Sequence, residues 1–447
     1  MRPAKATATT TAHPFSNRPH ATLIRLTFPV LLSLIAEPLT GLVDTAFIKQ
    51  LGAESLAALG VGAVALSGLF WVFNFLGIST QTEVAQAEGD NDRNRSVSIS
   101  SLALCLSMAF GLLIIVFGVP LTSYLATLLG AAGAIHDGAV DYIWWRWFGA
   151  PAILITLTAS GALRGLQDMR SPLWIALGIN GINIVLDPML IFGAGPVPAL
   201  GITGAAVASV IAYWIGAAWS LWIIKRKLGW SLPADFSAVG RLMRTGADLF
   251  IRTGVLNLFL LLTTREATHG GADVGAAHQA IRQVWMFGTF VLDALAVTGQ
   301  SLVGYFLGGE RIRSARKVAR IVCLWSVWSG CMLGFVLWLG SGFVVDLLVP
   351  PSAAPYFHSA WIVAIAVQPL NALAFATDGL HWGSGDYRYL RNAVILATGA
   401  GAAGLLAGPH ALDWIWIMTA VWISVRATLG VIRIWPGVGN SPFRVMD

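Results

Sequence analysis

The sequence predicts an all-α polytopic membrane protein, with twelve transmembrane helices in two six-helix bundles related by a pseudo-two-fold axis along the membrane normal. Three observations predict it. The 447 residues are 56% hydrophobic and only 11% charged, too little charge for a soluble domain. Apolar runs long enough to cross a hydrocarbon core of about 30 Å recur from residue 22 to residue 435. They are long runs between short polar loops rather than the short alternating strands of a barrel. Finally, the second half of the chain repeats the first.

The spans are predicted at 22–48, 56–81, 97–119, 138–163, 171–193 and 203–224, then at 245–268, 276–303, 316–340, 356–381, 391–408 and 412–435. Before them, residues 1–21 carry Arg2, Lys5 and Arg18 without an acid, and read as a disordered cytoplasmic tail rather than a targeting segment. Basic residues sit in alternate loops, at Arg93 and Arg95, Arg164 and Arg170, Lys225 to Lys227, Arg241 and Arg244, Arg311 to Arg320, and Arg388 and Arg391. The intervening loops near Gly52, Gly133, Gly195, Gly271, Pro350 and Pro409 carry almost none. The positive-inside rule then places both termini in the cytoplasm of an inner-membrane protein. It also accounts for the net charge of +6 without nucleic acid. Cys105, Cys323 and Cys331 fall inside apolar spans and imply no disulfide or zinc site.

A shift of 219 residues lays Gly52, Ala53, Ala57 and Ala58 on Gly271, Ala272, Ala276 and Ala277, Gln81 on Gln300, and Gly89 on Gly308. A shift of 218 lays the GLQD of 165–168 on the GSGD of 383–386. Each repeat holds six spans, an even number, so both halves enter the membrane in the same direction, as in parallel-repeat transporters. The expected organisation is a tail at 1–21, an N-terminal lobe at 22–224, a basic linker at 225–244, a C-terminal lobe at 245–435 and a cytoplasmic tail at 436–447. Rocking two such lobes would expose the cleft between them to either side.

An acid inside a span costs several kcal/mol to insert, about 2.5–3.5 on insertion scales, and needs a reason. Asp44 and Asp187 are the leading cases. Asn183 precedes Asp187 by four residues and shares its helix face, with Asn180 nearly a turn further back. Such oxygens can hold a proton or a sodium ion without thiol or imidazole. Asp44 meets only Thr263 under the repeat shift. Pro29 and Pro38 each remove a backbone bond from the first span and can bend it. Asp248 and Arg252, four apart, are expected to pair, as are Asp378 and His381. Glu37 lies seven residues before Asp44 on the same face and reads as a possible contact of the pathway. The nineteen Trp suit membrane interfaces rather than drug stacking.

The stretches LIRLTFPVLLSLIAEPLTGLVDTAFIKQLG, TQTEVAQAEGD, GALRGLQDMRSP, NIVLDP, ADLFIRTGVLNLFLLL and DGLHWGSGDYRYLRNA resemble the multidrug and toxic compound extrusion family, in its DinF-like branch. The resemblance runs from about 22 to 435. It implies a V-shaped pair of six-helix lobes, without a cofactor, that exports cationic or amphipathic small molecules in exchange for protons or sodium. It also implies a cation site of Asp44, Asn183, Asp187 and a hydroxyl of the sixth helix. Ser209 takes that hydroxyl position where the branch usually has Thr, with Thr203 as the rival, so a sodium ion would sit at Asp187, Asn183 and Ser209. Pro29 resembles the family's bending proline, and Arg252 and Asp293 resemble scaffold charges of the branch. Asn371 stands where another branch has an acid, which argues against a C-terminal cation site.

Other functions fit less well. No G-x-x-x-x-G-K-[ST] loop is present for an ATP-driven pump. His136 and Asp141 have an acyltransferase-like spacing but lack a nucleophile, so no enzyme is predicted. The alternative within the same wider fold is a flippase of lipid-linked intermediates. The expected partners are a small-molecule substrate and membrane lipids, with the chain a monomer.

Overall fold

The computed structural model describes residues 13–231 and 237–444, with the side chains of Glu37, Ser237 and Ala238 outside that description. The pathway role expected of Glu37, most of the predicted N-terminal tail and part of the linker therefore lie outside the described residues. The described chain is helical without a β-strand. α1 (Pro14–Asn17) leads into α2 (Pro19–Ile48), and α3 (Ala53–Val72) and α4 (Asn74–Gly89) follow end to end. Next come α5 (Arg93–Leu128), α6 (Gly133–Trp147), α7 (Ala150–Gly165), α8 (Arg170–Ile191) and α9 (Ile202–Lys227). The second half holds α10 (Ser237–His269), α11 (Ala272–Gly308), α12 (Ile312–Leu339) and the short α13 (Ser341–Leu348). It closes with α14 (Ala354–Ala366), α15 (Gln368–Ser384), α16 (Tyr387–Ala407) and α17 (Leu412–Ile434).

Ten helical stretches are long and apolar enough to cross a membrane, and α14 with α15, bent by 47°, makes an eleventh. α6 and α7 occupy the remaining predicted span. They are only 15 and 16 residues long and carry Asp137, Asp141, Arg146 and Arg164. The spans predicted as continuous at 138–163 and 356–381 are thus both broken, and at equivalent places. Pro151 and Pro369, 218 residues apart, each stand at the second position of a new helix, where a missing N–H costs nothing because the first turn has no intrahelical acceptor for it.

The two halves pack alike. α2 lies on α8 as α10 lies on α16, α4 on α7 as the second half of α11 lies on α15, and α8 on α9 as α16 lies on α17. Backbone geometry repeats too. Gly52 and Gly271 precede equivalent helices at φ 111° and 109°, values that favour glycine. Asn91 and Glu310 share a left-handed turn at φ 57° and 58°, and Gln167 matches Gly385 at φ 62° and 76°.

Where the lobes meet, each residue meets the counterpart of its own partner. Gln81 Nε2 donates to the carbonyl of Val297 at 2.8 Å, and Gln300 Nε2 donates to the carbonyl of Ile78 at 2.8 Å. Thr82 Oγ1 donates to the carbonyl of Trp382 and Ser301 Oγ to that of Arg164. A side chain at Gly89 would strike the backbone oxygen of Tyr305, and one at Gly308 that of Gln86. Such small residues let membrane helices approach closely enough for van der Waals packing and interhelical hydrogen bonds. The two-fold axis therefore runs between α4 and the second half of α11, and these contacts lie in the half of the molecule that ends in the arginine-rich loops. A cavity of about 80 Å³ separates Trp71, Asn74 and Phe75 from Phe250, Thr253 and Asn257 of α10.

Residues near both limits of the described chain pack into the protein, where the expectation was free tails. Phe15 and Phe443 are almost fully buried in the cluster around Phe306, because apolar side chains outside the bilayer still gain from leaving water. His13 Nε2 lies 2.7 Å from Gln167 Oε1, and its ring sits against Tyr305 and Phe306. The basic linker residues Lys225, Arg226 and Lys227 form the last turn of α9, and Arg241 and Arg244 lie within α10. Leu112, Val116, Phe117, Trp328, Phe335 and Leu339 stand exposed on α5 and α12, as side chains facing hydrocarbon do.

Candidate cation-coupling site

Asp44 from α2 and Asp187 from α8 face one another within hydrogen-bond reach. Asp187 has no exposed surface, and Asn183 and Ser209 are buried beside it. Asn183 Nδ2 donates to Asp187 Oδ1 at 3.3 Å and to Ser209 Oγ at 3.4 Å. The spacing of four on α8 thus does what helix geometry requires, and α9 supplies the hydroxyl from Ser209 rather than Thr203. One carboxylate oxygen on each acid, Asp44 Oδ1 and Asp187 Oδ2, has no donor. Pro188 lacks an N–H, so the helix beside Asp187 has one backbone bond fewer. Two carboxylates so close in a low-dielectric setting need a proton or a cation between them.

Asn180 takes no part in these bonds, and its Nδ2 is without a partner. Pro29 and Pro38 lie within a single unbroken helix. Thr263, the counterpart of Asp44, is buried and turns its hydroxyl to the carbonyl of Leu260 at 2.8 Å. The residue that sequence reasoning passed over is Arg146, from the broken fourth span. It is the cation nearest both acids, its Nε and Nη1 are unpartnered, and it lies over the ring of Tyr213 at 5.7 Å. Its signal was plain: an arginine within a predicted span is as costly as an acid.

The scaffold charges are corrected. Asp248 does not pair with Arg252. Arg391 Nη1 binds Asp248 Oδ1 at 2.5 Å, while Arg252 and Arg426 share Asp378 Oδ2, Arg426 at 2.8 Å. Both acids are buried, and each needs a cation to offset its desolvation, which helices distant in sequence supply. His381 is not the partner of Asp378, since its Nε2 lies 3.1 Å from the carbonyl of Gly430. Asp293 is close to Arg164 and Arg252, so charge runs across the lobe boundary. Asn371 is buried and donates to Gln368 Oε1 at 3.4 Å. His136 contacts Asp137 and Ser123 rather than Asp141, so the acyltransferase-like pair does not form.

The MatE family model matches residues 29–189 and 251–404, one match in each lobe. The chain belongs to the MatE family. Among relatives of this MatE protein, Protein DETOXIFICATION 43 of Arabidopsis thaliana is 30% identical, covering 94% of this chain and 91% of its own. DNA damage-inducible protein F of Escherichia coli is 27% identical over 92% and 91%, in agreement with the DinF-like resemblance. A crystal structure of a MATE protein in the bent conformation superposes with a TM-score of 0.84 at 20% identity, covering 93% of this chain and 94% of that one. This MatE protein is accordingly a multi-pass membrane transporter of the multidrug efflux family and not an enzyme.

Proposed function

We propose that the protein exports small cationic or amphipathic organic compounds across the inner membrane in exchange for protons, with both termini cytoplasmic. The observation that carries this reading is the pair formed by the half-buried Asp44 and the fully buried Asp187, which face one another in the N-terminal lobe and have no counterpart acids in the other lobe. Protons are favoured over sodium on two grounds. The Asn183 amide turns its nitrogen toward the site, and Arg146 opposes a second bound cation. The lobes are joined at the arginine-rich end, so by the positive-inside rule the cleft opens outward. Protonation of the pair would remove charge between α2 and α8, let α2 bend at Pro29, with Pro38 as a second flexible point, and weaken the hold on cargo. Deprotonation on the cytoplasmic side would reset the site, with a membrane potential adding about 2.3 kcal/mol per charge per 100 mV.

The test is transport of a fluorescent amphipathic cation by proteoliposomes with an imposed pH gradient. Asp44→Asn should lower the rate by about a hundredfold or more, while Thr263→Ala stays near wild type. Equal rates in the two variants would show that the coupling site lies elsewhere.

A further inference from the structure

We infer that the C-terminal lobe carries an anion-binding site, built from His278, Arg282 and Trp285 of α11 with Trp361 of α14 and Trp416 of α17. Spacings of four and three place the three α11 residues on one helix face. His278 is 3% exposed, its ring lies 5.9 Å from that of Trp416, and neither of its nitrogens has a partner. Arg282 Nη1 donates to Thr264 Oγ1 at 3.1 Å, yet its Nε has no partner. The indole nitrogens of Trp285, Trp361 and Trp416 are buried without an acceptor as well. The three Trp belong to one packed cluster.

Apart from one ring nitrogen of His278 and the hydroxyl of Thr264, which already accepts from Arg282, the cluster offers only donors. Among the described residues, Arg282 makes no ion pair. Glu266, the nearest acid along α10, is two residues from Thr264 and so points to another side of its helix. It is held by His410 at 2.7 Å and faces Arg265 at 3.9 Å. Asp273 is engaged by Ser352 at 2.7 Å. Buried donors are almost always satisfied, and an unpaired guanidinium inside a membrane protein calls for a negative partner. A metal would find one ligand here, the imidazole of His278, because indole and guanidinium nitrogens donate hydrogen bonds and do not coordinate.

Depth makes the site specific to this lobe. Thr264 adjoins Thr263, the counterpart of Asp44, so Arg282, which donates to Thr264, lies near the level that the acid pair has in the other lobe. In the N-terminal lobe the counterparts of His278, Arg282 and Trp285 are Leu59, Ala63 and Leu66. The ligand chemistry is a compact singly charged anion, either the carboxylate of a transported compound or a resident halide.

Purified full-length protein would be titrated calorimetrically with sodium acetate and with sodium chloride, ionic strength being held by sulfate. Saturable binding of at least one is expected. It should weaken about tenfold or more in Arg282→Gln and in His278→Phe and persist in Arg282→Lys. No saturable binding by the wild type, or binding unchanged in both disruptive variants, would overturn the inference. Uptake of labelled acetate by proteoliposomes then identifies the bound group as cargo, whereas chloride binding without movement identifies it as a resident ion.

Discussion

The two lobes agree most closely where they touch and least in the interior of each lobe away from the axis. At the axis, Gln81 and Gln300, Thr82 and Ser301, and Gly89 and Gly308 make reciprocal contacts. Away from it, at one depth, the N-terminal lobe holds Asp44 and Asp187 while the C-terminal lobe holds Thr263, His278 and Arg282. The reason is geometric. A change at the axis disturbs both halves of a shared interface, whereas a change inside one lobe disturbs that lobe alone. Duplication thus leaves the hinge region symmetric and the binding chemistry free to diverge.

The effect that reaches both lobes at once comes from the axis itself. Gly89→Val and Gly308→Val should each weaken the closed contact by about 1–3 kcal/mol, because the added side chain meets backbone rather than a movable side chain. A cysteine replacing the fully buried Ala85, in a chain without its native cysteines, should then react faster with a thiol reagent in both variants and to a similar degree. A strong effect from only one glycine would break the two-fold account.

An effect confined to one lobe at a time separates two equivalent clasps. Asp386 binds Arg433 through two bonds, 2.6 Å and 3.2 Å, with both side chains mostly buried. Its counterpart Asp168 binds Lys227 at 2.5 Å, but Lys227 is 43% exposed. Arg433→Ala should cost about 3–5 kcal/mol, since it strands a buried carboxylate, and Lys227→Ala about 1 kcal/mol or less, read from thermal unfolding. Burial pushes the Asp168 carboxyl up, but bonds from Lys227 and Ser171 together hold it below the usual carboxylate range. Its contribution is therefore present above the unfolded value, near 4, and is lost as pH falls through the lower folded value. Lys227→Ala should flatten the acid side of the stability curve.

The smallest effect concerns the N-terminal segment, which touches both lobes through Gln167 and Tyr305. Burial holds the His13 imidazole below its usual range, Gln167 opposing and Arg311 reinforcing the shift. Docking therefore favours neutral His13. It is fully supported above about 6.5 and weakens as pH falls below that value. Protection of the amides of residues 15–18, taken as exchange relative to the intrinsic rate at each pH, should fall on mild acidification in the wild type and be low and flat in His13→Ala. Protection that rises on acidification would reverse the assigned sign.

Much of this was legible in the sequence, and the failures share a cause. The repeat could be read because Gly52 and Gly271, Gln81 and Gln300, and Gly89 and Gly308 are fixed by backbone geometry or by contact across the axis, which tolerate few alternatives. Asp187 and Asn183 were legible because their partnership is local to one helix. Asp248 and Arg252 satisfied the same spacing rule and still went to other partners, since Arg391 and Asp378 approach from helices far along the chain. Arg146 was overlooked because its partners lie on α2, α8 and α9. The breaks in the fourth and tenth spans were marked by Pro151 and Pro369, but the apolar runs continue across them.

The central claim is that the acid pair of the N-terminal lobe, with no equivalent across the axis, carries proton coupling. It is tested most directly by measuring the affinity of purified protein for a fluorescent amphipathic cation from acid to alkaline pH, with and without sodium, in the wild type and in Asp187→Asn. The account predicts that wild-type affinity falls on acidification, is indifferent to sodium, and becomes flat with pH in Asp187→Asn. A wild-type affinity that ignores pH and responds to sodium would contradict it.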